Sequence, residues 1–388
     1  MPVNFLQVKT NLEQYSQKVK RLSDKLAMLE EELWQSYVLN SEKLDFMQAL
    51  VSSTAKNSKN FYCACPVREA LLTAIAPPEI ATNYTIIAAD GSQIQPSRHK
   101  AVQFCVINVG IIKAFMGSGQ APEIQTFSQL LDYEQLFSED GQLIDEDAVA
   151  IMRDFAERSV IQQSITPDPH PILSITDGPL GLYQRAAARN DSKELQTKLL
   201  NIYHDIAEQG VISAGYIDKP GSDMIGRLFS IMKNDEQGQS EYDSKKRFYK
   251  GVSDVAIFRR FLEQPGARSA VFEMINQDDK GQKSSLPVHF FYMNVGQGSP
   301  YIVRVEFPEW VGRNPQRVDL LHAVIFKEVK VLDRNPYPYI LHRAHELAVI
   351  HFEEYEEVER MLLEAYEKAE ISSGVQSNKE ANKIYSGK

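Results

Sequence analysis

Two stretches of this chain carry one pattern. Ile86-Ile87-Ala88-Ala89 runs into Asp90-Gly91, and Ile172-Leu173-Ser174-Ile175-Thr176 runs into Asp177-Gly178. Each is a short apolar strand ending in a carboxylate. Side chains at the C-terminal ends of sheet strands project into the crevice where α/β proteins bind ligands. Glycine after each aspartate permits a tight turn and leaves room for a phosphate or metal beside the backbone. Two such aspartates, on different strands of one domain, are placed to share a divalent ion of the kind that polarises a phosphodiester and activates water. Taken singly, Asp-Gly after a strand is ordinary turn chemistry, so the duplication carries the inference.

The elements that must position these residues are read from periodicity. A further apolar strand is expected over 101–109, continued by 111–115, and another over 211–217. Two antiparallel strands, 288–295 and 301–307, flank Gly296-Gln297-Gly298. Between the Asp-Gly strands, 145–163 lacks Gly and Pro and sets Val149, Met152, Phe155, Ala156 and Val160 at helical spacing, which puts Glu157 on a helix. Asp154 and Glu146 lie on that same helix. Helices are also expected over 193–209, 315–332 and, after Asn335-Pro336-Tyr337-Pro338, over 339–370. Strands alternating with helices, with an antiparallel part, give a mixed α/β sheet.

The N-terminus reads differently. Val8, Leu12, Tyr15, Val19, Leu22, Leu26, Leu29 and Leu33 alternate steps of three and four, a seam of about four heptads that serves equally an internal helix or an intermolecular coiled coil. The expected layout is a heptad-patterned helix over 1–50, a linker and short helix over 51–79, and a catalytic domain over 80–371. Within it 223–287 is marked as a candidate insertion, and 372–388 reads as a disordered polar tail. Phe61 to Cys65 is read as a short packed segment.

Composition narrows the classes. A formal charge of −10 and a pI near 5.4 argue against coating nucleic acid by bulk attraction. They leave metal-assisted phosphate chemistry open, because carboxylate-bound cations reverse the local sign. The three cysteines, Cys63, Cys65 and Cys105, are too few and too poorly spaced for a disulfide framework or a four-ligand zinc site. No secretory signal and no membrane span is read, so a cytoplasmic protein without membrane partners is expected.

IIAADGSQI at 86–94, SITDGPLG at 174–181, GYIDKPGS at 215–222 and NPYPYILHRAHELA at 335–348 follow the order found in NurA nucleases. The chain resembles a divergent member over roughly 80–355; the order of the motifs carries the likeness. The resemblance implies an RNase H-like core, DNA cleavage dependent on Mn²⁺ or Mg²⁺, a homodimer, and partnership with a HerA-type hexameric ATPase in DNA-end processing. It also implies that Asp90, Glu157, Asp177 and His345 hold the metal and do the chemistry, and that Lys219 meets a phosphate. Oxygen-rich ligands favour Mn²⁺ or Mg²⁺ over zinc, and one imidazole tilts the choice towards Mn²⁺. His342 and His351 flank His345. Two departures stand out: basic residues are not clustered along a groove, and the stretch after Asp223 matches nothing. The competing readings are an inactive scaffold of the same fold and a phosphohydrolase acting on small esters.

Overall fold

The computed structural model describes residues 3–79, 83–137, 141–180, 192–238, 247–277, 286–332 and 335–371; the tail expected over 372–388 lies outside them. In chain order come α1 (Phe5–Leu39), α2 (Leu44–Lys56), β1 (Tyr62–Pro66), β2 (Tyr84–Ile94), β3 (Val106–Met116) and β4 (Glu123–Leu130). There follow α3 (Glu146–Ser164), β5 (Ile172–Asp177), α4 (Ser192–Glu208), β6 (Ile212–Ile217), α5 (Met224–Glu236) and α6 (Asp254–Phe258). The remainder is β7 (Phe272–Asn276), β8 (Val288–Asn294), β9 (Ile302–Pro308), α7 (Glu309–Gly312), α8 (Pro315–Val331), α9 (Tyr339–Ala348) and α10 (Phe352–Lys368). Residue contacts group these elements into two compact units: Met1–Pro78 with Tyr216–Phe326, and Glu79–Gly215 with Lys327–Lys388.

In the first unit the strands run β1-β7-β8-β9, antiparallel throughout. Its core is aromatic: Phe258 stacks on Tyr292 with centroids 4.2 Å apart, and Phe229, Phe272 and Phe290 are fully enclosed. Only the C-terminal half of the heptad seam enters it. Leu33 and Tyr37 are buried there, with Leu26, Leu29 and Trp34 packed alongside, whereas Val8, Leu12, Tyr15, Val19 and Leu22 stay exposed.

The segment 51–79, expected to begin as a linker, starts as helix and stays so as far as Lys56, because Met47, Val51 and Ala55, spaced four residues apart, form a stripe that buries against this core. The short helix expected after Pro66 does not form; the chain there is a strand followed by turns. Residues 223–287 contain α5, α6 and β7, all contributing to the same core. Asp254 holds this region together. Its carboxylate accepts from Met224 N, Ile225 N, Ser222 Oγ and Tyr292 Oη, so an acid from α6 caps the N-terminus of α5.

In the second unit the order is β6-β5-β2-β3-β4. β2, β3 and β4 form an antiparallel meander, and β5 returns parallel to β2 after the α3 crossover. This is the mixed sheet expected, in the strand order of an RNase H-like core. β4 was not foreseen. β2 is longer than its apolar run suggested, because Asp90 to Ile94 continue the ladder with β3 instead of turning.

The helix expected over 339–370 is broken into α9 and α10 at Val349 to His351, which are extended. β-branched Val349 and Ile350 favour extended backbone. Ile350 then packs with Tyr355, Val358, Leu362, Leu363 and Tyr366 over Ile94, Val102, Phe104 and Val106. All three cysteines are buried thiols outside any disulfide; Cys63 and Cys65 belong to the first unit and Cys105 to the second. Among the described residues no helix is long and apolar enough to cross a membrane.

Candidate active site

The alternation of β2 explains its motif residue by residue. Successive strand side chains point to opposite faces. Asp90, Ser92 and Ile94 face α9 and the segment beyond it; Gly91 and Gln93 face α3. On the first face, His345 Nδ1 lies 2.7 Å from Asp90 Oδ2. Two residues further, Ser92 Oγ donates to the carbonyl of Ala348, the last residue of α9. Asn108, across the ladder from Ser92, donates to the same carbonyl from 2.8 Å. A helix C-terminus with orphan carbonyls is thus fixed by two side chains of the sheet.

Close approach requires a gap, and Gly110 supplies it. It pairs with Asp90, and a Cβ there would stand 2.6 Å from Leu347 Cβ, 2.7 Å from the Ala344 carbonyl and 2.8 Å from Ala348 N. On the other face Gly91 does the same for α3: a Cβ would meet Arg153 Cγ at 2.6 Å and Glu157 Oε1 at 2.8 Å. Gly91 therefore serves helix approach, correcting the turn role expected from the sequence. Gly178, at φ +81°, does occupy a turn.

Asp177 ends β5. The parallel register pairs Ala89 with Thr176, so Asp177 follows on beside Asp90 and on the same face. Its Oδ1 accepts from the Tyr337 hydroxyl at 3.0 Å, and Tyr337 lies just before α9. One helix and its lead-in thus deliver a partner to each aspartate.

Glu157 comes from α3 and is buried, only 3% exposed. Burial pushes its carboxyl up to about 8; Asp154 and Asp90 add to the rise, while Arg158 and Arg153 oppose it. Arg153 Nε is 3.4 Å from Glu157 Oε1 and donates through Nη1 to Gln93 at 2.9 Å. Arg158, also buried, donates to Tyr203 Oη at 2.9 Å and to the Pro179 carbonyl at 3.1 Å, tying α3 to the turn after Asp177.

The structure therefore brings Asp90 and His345 into contact and sets Asp177 beside Asp90. Glu157 stands close enough to Asp90 to feel its charge. Lys219 belongs to the first unit, in the loop after β6, where it is exposed. Sequence reasoning missed Tyr337, although it stands in the quoted segment 335–348, and missed Ser92 and Asn108, whose roles appear only once the register is known. Among the described residues no three His, Cys, Asp or Glu side chains are already gathered round a common point for a metal. The donors nevertheless fit a hard cation in kind: carboxylate oxygens with one imidazole, and a buried acid whose ionisation its acidic neighbours oppose.

The sequence profile of the NurA domain matches residues 84–350. Among solved structures, the NurA nuclease from Sulfolobus solfataricus is similar over 95% of this chain and 98% of that one, with TM-score 0.51 and 11% identity. Drosophila Piwi aligns over 70% of this chain and 30% of its own, at TM-score 0.30 and 13% identity. LC9-RNase H1, a type 1 RNase H, aligns over 36% and 64%, at TM-score 0.20 and 12% identity. No curated protein matches the sequence. The Sulfolobus structure shows a shared fold across nearly the whole chain.

Proposed function

Because the chain belongs to the NurA family, we propose that it is a metal-dependent nuclease hydrolysing phosphodiester bonds of DNA. One observation carries the reading: two aspartates end up side by side on one sheet face, and α9 with its lead-in brings His345 to one and Tyr337 to the other. Asp90, Asp177, Glu157 and His345 would hold Mn²⁺ or Mg²⁺. Such an ion supplies Lewis-acid polarisation of a phosphate oxygen and a more acidic water.

The chain's own residues do the rest. His345 Nδ1 fixes the orientation of the Asp90 carboxylate, and the Tyr337 hydroxyl fixes that of Asp177. Glu157, shielded from water and beside Asp90, keeps a proton on its carboxyl near neutral pH in the metal-free site. The family resemblance further supports a pair of nuclease subunits, a HerA-type ATPase partner and a place in DNA-end processing. Lys219 fits a phosphate contact in this scheme.

The test is cleavage of end-labelled single- and double-stranded DNA with Mn²⁺, Mg²⁺ or EDTA, beside Asp90→Ala and Asp177→Ala. Metal-dependent products that vanish in both variants are expected. Folded wild-type protein that cuts neither substrate with either metal overturns the reading.

A further inference from the structure

β4 is the outer strand of the second unit's sheet, and every one of its eight residues is exposed. Ile124, Phe127 and Leu130 are 47%, 39% and 50% exposed. Edge strands of monomeric proteins are guarded by lysine, proline or a bulge. From Ile124 to Leu130 the sequence Ile-Gln-Thr-Phe-Ser-Gln-Leu has no charge and no proline, and its register with β3 runs without a bulge. Beside the strand lies a cavity of about 370 Å³, whose walls include Ile107, Val109, Phe127, Met152, Phe155 and Leu195.

The ladder shows which backbone groups face outward. Leu131 N donates to Cys105 O, so these two form a hydrogen-bonded pair. Alternation then turns the amides of Gln129, Phe127 and Gln125 towards β3. The amides and carbonyls of Ile124, Thr126, Ser128 and Leu130 point away, unpaired among the described residues.

We propose that β4 pairs antiparallel with β4 of a second copy about a two-fold axis through Phe127. The strand is self-complementary in that register. Ile124 falls opposite Leu130 of the other copy, Thr126 opposite Ser128 and Gln125 opposite Gln129, and Phe127 meets its own counterpart. Apolar stands against apolar, hydroxyl against hydroxyl and amide against amide. Glu123 falls opposite Leu131, so no like charges meet. The four outward-facing residues of each strand become hydrogen-bonded pairs, while Phe127 sits at a non-hydrogen-bonded pair, where side chains approach most closely. Sliding the register by two residues sets Ile124 against Ser128, or Leu130 against Thr126. The apolar match therefore selects one alignment.

This pairing rests on the two-subunit reading above and is independent of the nuclease chemistry. Its test measures the mass of the full chain in solution, alone and with Thr126→Pro, which removes one outward amide, or Phe127→Glu. Circular dichroism verifies that each variant is folded. A dimeric wild type and monomeric, folded variants are expected.

Register is read separately by mild oxidation of Phe127→Cys and Gln125→Cys. Because the three native cysteines are buried, only Phe127→Cys should cross-link to itself on a non-reducing gel. A dimer that survives both edge variants, with no cross-link at 127, overturns the β4 pairing and leaves the two-subunit reading standing. A wild type that is monomeric at high concentration overturns both.

Discussion

At the scale of single residues the site is a set of short reaches made possible by missing atoms. Gly110 is the clearest, since its Cβ would strike the backbone of α9, which has no rotamer to change. Gly110→Ala is expected to cost about 1–3 kcal/mol of stability and to lower cleavage by lifting His345 off Asp90; urea unfolding and initial rates measure the two. Stability and rate that both match wild type would contradict it. Tyr337 acts through Asp177, as residues behind a metal ligand do. Tyr337→Phe is expected to weaken apparent Mn²⁺ affinity or rate by about 10–100-fold, read from metal titrations at fixed DNA. A phenylalanine variant that titrates like wild type would mean the hydroxyl is incidental. The aspartates were legible in the sequence because each closes an apolar run. Tyr337 was not, because its partner is 160 residues away and only the fold brings them together.

At the scale of elements the same seam plays two parts. Leu33 is fully buried in the first unit's core, whereas Leu12 on the same helix is half exposed. Leu33→Ala is expected to cost about 2–5 kcal/mol, and Leu12→Ala to stay within about 0.5 kcal/mol for the isolated chain. Denaturant midpoints compare them, and equal losses would show that the outer half of the seam is also covered. Heptad spacing fixes the stripe but not how far along it a partner extends, which left both uses open. The core strands β2, β5, β6, β8 and β9 were readable because each is a run of apolar residues. β4 was invisible, since EIQTFSQL mixes polar and apolar residues at an edge that stays exposed among the described residues. The division of α9 from α10 was only half legible: Val349 and Ile350 favour an extended break, but Ser92 and Asn108, far away in sequence, hold the end of the first helix.

At the scale of the whole molecule, acid is expected to act first through two buried imidazoles. Burial lowers both His289 and His322 to about 4. His322 Nε2 donates to the Gly266 carbonyl at 2.6 Å, and its Nδ1 has no partner among the described residues, so a second proton would be buried without an acceptor. Between pH 6.5 and 4 the unfolded chain binds these protons and the folded chain does not. The stability these two imidazoles contribute is therefore complete above 6.5 and falls as pH drops, by up to about 3 kcal/mol per histidine. Glu157, at about 8, and Asp254, raised to about 6, both mainly by burial, hold their protons more tightly in the fold and offset part of that loss across the same range. Urea unfolding across this range should show a slope that shrinks in His322→Gln; an unchanged slope would place the acid sensitivity elsewhere.

The buried thiols give the molecule a clock it can be read by. Burial pushes Cys105 up to about 11 and raises Cys63 well above its ordinary value, so almost no thiolate meets solvent while the fold is closed. Alkylation must then wait for an opening event, and its rate counts such events. Cys105 reports for the unit that holds the aspartates, and Cys63 for the unit that holds the aromatic core. Mass spectrometry of the two labelled peptides would tell whether the halves of this protein open together or apart.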